Sequence, residues 1–322
     1  MTAIPSLSMS DLRGDSRSRQ RFQTGLGEAL KGTGFVRFRN HGIPHDIIRS
    51  AYKAAAAFFA LPPEIKLLYE RPEVGRQRGY TPLGVEHAQG NPNLGDLKEF
   101  WHRGRTLSPQ HKFFAKFGAN HAVKEVEVFD RCMEALYRAL ENLANEILAA
   151  LSLLLGKPDW WLPRFMKGGD SLLRLINYPP LEGLTFPPGS LRSAAHRDID
   201  LITLLLVSEG SGLEIFTRDG HWIAVDNDPD EVILNLGDMF EFLSGGFYPS
   251  TIHRVVNPDG STLGRMSCPF FDHPTPDKLL CVVDRFRLHD GAEHFVTQTA
   301  GHFLYERLIE IGVFTGANPY PF

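Results

Sequence analysis

The residues best equipped for chemistry lie between His196 and Ser267. His196-Arg197-Asp198 and the later His253 offer two imidazoles and one carboxylate. Such a set occupies one face of an octahedron and leaves three positions open to other ligands, an arrangement suited to a non-haem ferrous ion that must also bind O2. Zinc is the chief rival for two histidines and a carboxylate. Along an extended strand, residues two apart share a face. His196 and Asp198 are therefore expected side by side on a strand over 193–198, with Arg197 turned away. His253 lies in a separate strand-like run, Thr251 to Val256, which a barrel can bring alongside. An H-x-D pair alone is a weak signal, so the neighbours matter.

Arg265 and Ser267 also share a face by the period-2 rule, and a planar guanidinium can hold a carboxylate through two parallel hydrogen bonds. A turn at Asn257-Pro-Asp-Gly260 is expected to fold Arg265 back towards the strand of His253. On a strand over 171–178, Arg174, Ile176 and Tyr178 share one face. With that face inward, Tyr178 joins Arg265 and Ser267 on one carboxylate, and Arg174 sits nearer the metal, poised for a ligand or substrate carboxylate. Phe271, on the Arg265 face, could wall a substrate pocket. Asp200 could receive a cationic substrate group or cap a turn. The expected pocket is thus Arg174, Phe271, Ile176 and Asp200, although a lone strand arginine or phenylalanine is as often an ordinary surface or core residue.

These groups need elements to hold them. Apolar spacing at three and four predicts helices over 15–29, 46–59, 120–155 and 297–311, the last across a barrel mouth or on its outer face. Short β-type runs broken by Gly, Pro and Asn predict strands near 171–178, 193–198, 201–207, 212–216, 221–226, 231–236, 250–256, 263–272 and 279–283. Many short strands suggest a sandwich or barrel, and helices followed by strands suggest an α+β unit. We divide it into 1–115, a long supporting helix in 116–168, a β core in 169–285 and a C-terminal helix and tail in 286–322. Glu99 and His102, on a strand that could border a pocket, are candidates to touch substrate, with a solvated strand face the expected placement, and His41 is read as a turn histidine capping nearby backbone.

Composition narrows the class. A net charge of −4 favours neither nucleic acid nor an anionic membrane surface. No apolar run is long enough to span a bilayer, and Met1 to Asp15 lacks the basic-then-apolar pattern of a signal peptide. The 3 cysteines have no paired spacing, which points to reduced thiols. A cytoplasmic protein with a small-molecule partner is expected. Oligomeric state has no signature.

Several motifs carry a family resemblance. His196-Arg-Asp-Ile-Asp-Leu-Ile-Thr-Leu-Leu-Leu206 resembles the first metal motif of the isopenicillin N synthase-like 2-oxoglutarate/Fe(II) dioxygenases. The likeness continues through Gly212-Leu-Glu-Ile215, Gly220-His-Trp222, Asn235-Leu-Gly-Asp238, Leu243-Ser-Gly-Gly246 and Tyr248-Pro-Ser-Thr-Ile-His-Arg-Val-Val256. Arg265-Met-Ser267 stands where the family has its R-x-S. Gly34-Phe35 with Asn40-His-Gly-Ile-Pro44 resembles its N-terminal motif, and Leu175-Ile-Asn-Tyr-Pro179 its co-substrate tyrosine strand. The resemblance implies a double-stranded β-helix (jelly-roll) core flanked by helices. It implies that His196, Asp198 and His253 ligate iron, and that Arg265, Ser267 and Tyr178 hold 2-oxoglutarate. Consumption of 2-oxoglutarate and O2, with hydroxylation, desaturation or cyclisation of a substrate, would follow.

The chain departs from the family pattern at Ile176, where many plant members carry Asn, at Asp200, and in a long Gly/Pro-rich segment over 184–194. Rival readings are an oxidase of the isopenicillin N synthase type that takes all electrons from its substrate, a zinc hydrolase, and a non-catalytic barrel. Arg174 with Arg76, Arg78 and Arg103 hints at an anionic, carboxylate-bearing substrate.

Overall fold

The interior faces of two β-sheets enclose Phe35, Phe100, Ile176, Tyr178 and Ile233 from one sheet with Leu213, Ile215 and Val255 from the other. The structure, a computed structural model, describes residues 4–86, 95–182, 190–207, 212–225, 228–257 and 264–310. The strands of its two main sheets are β1 (Ser6–Ser8), β2 (Phe35–Arg39), β3 (Gly79–Thr81), β4 (Glu99–Gly104), β5 (Leu172–Tyr178), β6 (Ser193–His196), β7 (Ile202–Val207), β8 (Leu213–Phe216), β9 (Trp222–Ala224), β10 (Val232–Leu236), β11 (His253–Val255) and β12 (Arg265–Asp272); the strand expected at 279–283 is Leu279–Leu280, paired with Gln298–Thr299. An eight-stranded sheet runs β1-β2-β10-β7-β12-β5-β4-β3, and a four-stranded sheet runs β6-β11-β8-β9. The two form the expected jelly-roll core of an α+β protein.

The principal helices are α1 (Ser16–Thr33), α2 (His45–Phe59), α3 (Phe129–Leu154), α4 (Asp238–Leu243) and α5 (Ala300–Glu310). α1 starts where the Asp15 carboxylate accepts from the Ser18 backbone N–H at 2.8 Å. It stops at Gly34, whose φ of 70° is the left-handed C-terminal turn that glycine adopts without penalty. α3 buries Phe129, Met133, Leu136, Leu140, Leu143, Ile147 and Leu151, one face at helical spacing. That face joins residues of α1, α2 and the outer side of the large sheet in a second core.

Several boundaries differ from expectation. α3 begins at Phe129 rather than near Asn120, because the Asn120 amide pairs with both backbone groups of Gly104 (2.9 Å each), tying that stretch to the end of β4. The strand of His196 ends at that residue, so Asp198 lies in the turn beyond it. β9 and β11 are shorter than the runs 221–226 and 250–256. β4 is not solvated: every residue in it is buried, Glu99 and His102 included. Glu99 accepts from Lys66 (2.7 Å), Tyr80 (2.5 Å) and Asn177 (2.8 Å). His41 behaves as read, its Nδ1 accepting from the Ile43 backbone N–H at 3.1 Å. The turn at 257–260 and the segment at 184–194 fall largely outside the described residues. No helix among the described residues is long and apolar enough to cross a membrane.

Candidate active site

Strand pairing brings the two histidines together. His253 of β11 sits directly across from His196 of β6 in antiparallel register, and their rings are 4.4 Å apart between centroids. Each Nδ1 faces a backbone carbonyl two residues earlier: His196 that of Ala194 at 2.7 Å, His253 that of Thr251 at 3.1 Å. A hydrogen on Nδ1 donates to that carbonyl and leaves Nε2 with its lone pair, the form that binds metals. Both Nε2 atoms lie 3.7 Å from Asp198 Oδ1. One ligand atom from each of the three residues falls within 4.8 Å of the others, and no other group of three metal-ligating side chains converges this way among the described residues.

Asp198 reaches the site from its turn because its other oxygen, Oδ2, is held. Thr203 Oγ1 donates to it at 2.6 Å and Asn235 Nδ2 at 2.7 Å. Burial pushes the Asp198 carboxyl up, but the two imidazoles and these hydrogen bonds outweigh it and hold the group below its ordinary value. Burial and the neighbouring His253 bring His196 down to about 4. The Nε2 atoms of His196 and His253 and an ionised carboxylate oxygen of Asp198 therefore meet with one side open, a donor set that suits ferrous iron. Thr203 and Asn235 fall inside motifs that carry the family resemblance but were given no role; each is a polar residue in an otherwise apolar strand, a signal that could have singled them out.

The second expected cluster also assembles. Arg265 stands opposite Tyr178 and Ser267 opposite Ile176 across β12 and β5. Arg265, Ser267 and Tyr178 are all buried, with the guanidinium 5.4 Å from the centre of the Tyr178 ring. Arg192, which nothing in the sequence marked out, is buried as well and lies 6.0 Å from the same ring. Burial, then the charge of Arg265, pulls the Arg192 guanidinium below its usual range.

A cavity of about 500 Å³ opens beside His196 and Asp198, lined among others by Leu172, Arg174, Phe271, His273, Ile252 and Leu308. Arg174, Phe271 and Asp200 are on its wall, as expected. Ile176 is not: two residues deeper along β5, it packs among the interior apolar residues between the sheets. Asp200 does not offer a charge to a cation. Burial and the adjacent Asp198 raise its pKa well above the ordinary value, and its Oδ2 lies 3.0 Å from Thr203 Oγ1 and accepts from the Asp272 backbone N–H at 3.2 Å. The other arginines that hinted at an anionic substrate are engaged elsewhere: Arg76 by Glu70 (2.7 Å), Arg78 by Asp170 (2.5 Å) and Arg103 by Glu134 (2.5 Å). α5 contributes Leu304, Arg307, Leu308 and Glu310 to the cavity, so it lies at the mouth.

Comparison with known proteins decides the family. Residues 169–274 match the 2OG-Fe(II) oxygenase superfamily, and residues 4–125 match the N-terminal region described as non-haem dioxygenase in morphine synthesis. The chain is 33% identical to the 2-oxoglutarate-dependent dioxygenase citB of Monascus ruber, over 80% of each chain. The crystal structure of a 2OG-Fe(II) oxygenase family protein from Caulobacter crescentus shares 36% identity and a TM-score of 0.86, covering 97% of this chain and 100% of that one. This chain belongs to the 2OG-Fe(II) oxygenase superfamily. It is also similar to a full-length Neurospora crassa protein solved in complex with alpha-KG, at 25% identity and a TM-score of 0.83 over 95% and 96% of the two chains. As a 2OG-Fe(II) oxygenase it is a non-haem dioxygenase that uses Fe(II), 2-oxoglutarate and O2, and the oxidase reading is not favoured.

Proposed function

We propose that this dioxygenase oxidises a small molecule held in the cavity beside His196, with His196, Asp198 and His253 as the iron ligands. The observation that carries the reading is the convergence of three ligand atoms within 4.8 Å, both imidazoles having their Nδ1 turned to a backbone carbonyl. Bound Fe(II), with 2-oxoglutarate and O2, supplies the oxidising power, releasing succinate and CO2.

The chain's own contribution is orientation and exclusion of water. The Ala194 and Thr251 carbonyls fix the two imidazoles, and Thr203 and Asn235 fix the carboxylate. Arg265 and Ser267, with the Tyr178 hydroxyl, hold the far carboxylate of 2-oxoglutarate; a guanidinium suits this because its donors match the two oxygens. The apolar side chains between the sheets keep that end of the site dry. Among similar proteins, one from Petromyces alliaceus is named a proline hydroxylase, and the Neurospora crassa protein has also been solved with thymine; both support a small molecule as substrate.

Anaerobic Fe(II) titration of the wild type and of His253→Ala tests the ligand set. One equivalent bound tightly by the wild type and weakly by the variant is expected, and equal binding by both would overturn the assignment. Succinate formation from 2-oxoglutarate, followed in the same preparations, tests the co-substrate.

A further inference from the structure

We propose that the substrate presents a neutral carbonyl oxygen (an amide, lactam, imide or ketone) to Arg174, and that Glu86 is the residue that turns carboxylates away. The proposal rests on the dioxygenase reading only in taking the cavity beside His196 as the substrate site.

Arg174 is held rigidly on the cavity wall. Its Nε donates to His102 Nε2 at 2.6 Å, and His102 is kept in the matching tautomer by its Nδ1 facing the Arg76 carbonyl at 2.8 Å. The guanidinium carbon lies 4.3 Å from the Phe100 ring centre and 5.1 Å from that of Phe271. Nη1 reaches both oxygens of Glu86, at 3.3 and 3.2 Å. Nη2 has no hydrogen bond among the described residues. It is the polar group free to greet a ligand.

The charges around it are already balanced. Lys98 Nζ lies 2.6 Å from Glu86, 2.8 Å from Asp96 and 3.0 Å from Ser193 Oγ. Two cations, Arg174 and Lys98, thus face two carboxylates, Glu86 and Asp96. Burial opposes the charge on Glu86, yet Arg174 and Lys98 hold its carboxyl far below the usual range, so the negative charge is present at neutral pH. The remaining cations on the wall are paired too: Arg197 with Glu241 at 2.9 Å, and Arg307 with Glu310 at 2.6 Å. A substrate carboxylate on Nη2 would be an unbalanced buried charge beside the Glu86 carboxylate, and like charges at such range repel. A carbonyl oxygen gains the charge-assisted hydrogen bond without that penalty. Leu172, Phe271, Ile252 and Leu308 then suit an apolar body behind the head group.

Calorimetric titration of the full chain with three matched pairs tests this: benzamide and benzoate, phenylacetamide and phenylacetate, 3-phenylpropanamide and 3-phenylpropanoate. In the wild type the amide is expected to bind about tenfold or more tighter than its acid, a gap of about 1.4 kcal/mol. Glu86→Gln, which keeps acceptors for Lys98 and Arg174, is expected to close most of that gap by improving the acid. Arg174→Leu is expected to weaken the amide by about tenfold, the loss of one charge-assisted hydrogen bond. Tighter binding of the acids by the wild type, an unchanged ratio in Glu86→Gln, or no binding of any pair would each overturn the proposal. The wild-type ratio alone suffices if a variant does not fold. Succinate released from 2-oxoglutarate by the wild type reports separately on the dioxygenase reading, which can fail while the amide preference stands.

Discussion

Asn235 donates a 2.7 Å hydrogen bond to Oδ2 of Asp198, the carboxylate oxygen not turned to the imidazoles. The contact crosses from β10 to the turn after β6, so it supplies the orientation that a longer β6 was expected to provide. Partners behind a metal ligand set its geometry, and their loss typically weakens metal binding by about 10–100-fold. Asn235→Ala should reduce Fe(II) affinity by that order while leaving 2-oxoglutarate affinity far less affected. Anaerobic titration of both ligands measures the difference.

Arg265 is buried opposite Tyr178 and is assigned to the co-substrate's far carboxylate. A hydrogen bond to a charged group contributes about 1.5–3 kcal/mol, so Arg265→Leu should raise the KM for 2-oxoglutarate by about tenfold or more. Arg265→Lys should recover only part of this, because an ammonium lacks the planar fork. Steady-state succinate formation against 2-oxoglutarate concentration reads both variants.

Gly34 couples the end of α1 to the strand that carries His253. With φ at 70°, a Cβ there would lie 2.6 Å from the Pro249 carbonyl oxygen and 2.7 Å from Thr251 Oγ1. Thr251 in turn donates to the Thr33 carbonyl at 2.6 Å, and its own carbonyl faces His253. Gly34→Ala should destabilise the fold by at least about 1–2 kcal/mol from backbone conformation alone. Denaturant unfolding would show a lower midpoint, and Fe(II) affinity should fall with it.

Asp272, at the end of β12, has its carboxyl raised from 3.8 to about 6, chiefly by burial and against the Ser171 hydrogen bond and the charge of Arg105. The folded chain therefore keeps this proton to higher pH than the unfolded chain. Below about pH 4 the group has no influence; from about 4 to 6 stability falls as the unfolded form ionises first, and above that the penalty stays constant. Asp272→Asn should gain on the wild type across that window, by on the order of 3 kcal/mol at most. Chemical denaturation at a series of pH values checks the slope, and a constant difference from pH 4 to 7 would contradict it.

Much of the site is legible in the chain because its chemistry is written in residue types. Histidine, aspartate and arginine at 196, 198, 253 and 265 are residue types suited to the roles proposed for them, and alternation along β5 and β12 places Tyr178, Arg265 and Ser267 on one face. Local rules fail where the partner is distant. Glu99 and His102 read as a solvated face because alternation does not reveal that β4 lies between β3 and β5, or that Lys66, Tyr80 and Asn177 cover Glu99 and Arg174 covers His102. Ile176 shares a face with Arg174, yet two residues along a strand separate a cavity wall from an apolar interior.

The sequence by itself determined the candidate ligand types, the α+β class and the family, since each depends on residue identity and short-range spacing. Tertiary structure decided which charges meet. His253 faces His196 only through the β6–β11 pairing, Asp198 is aimed by residues from β7 and β10, and Arg174 meets Glu86 from a separate loop. The physical reason is that ionisation, orientation and burial of a polar group depend on what the fold packs against it, and those neighbours are far away along the chain.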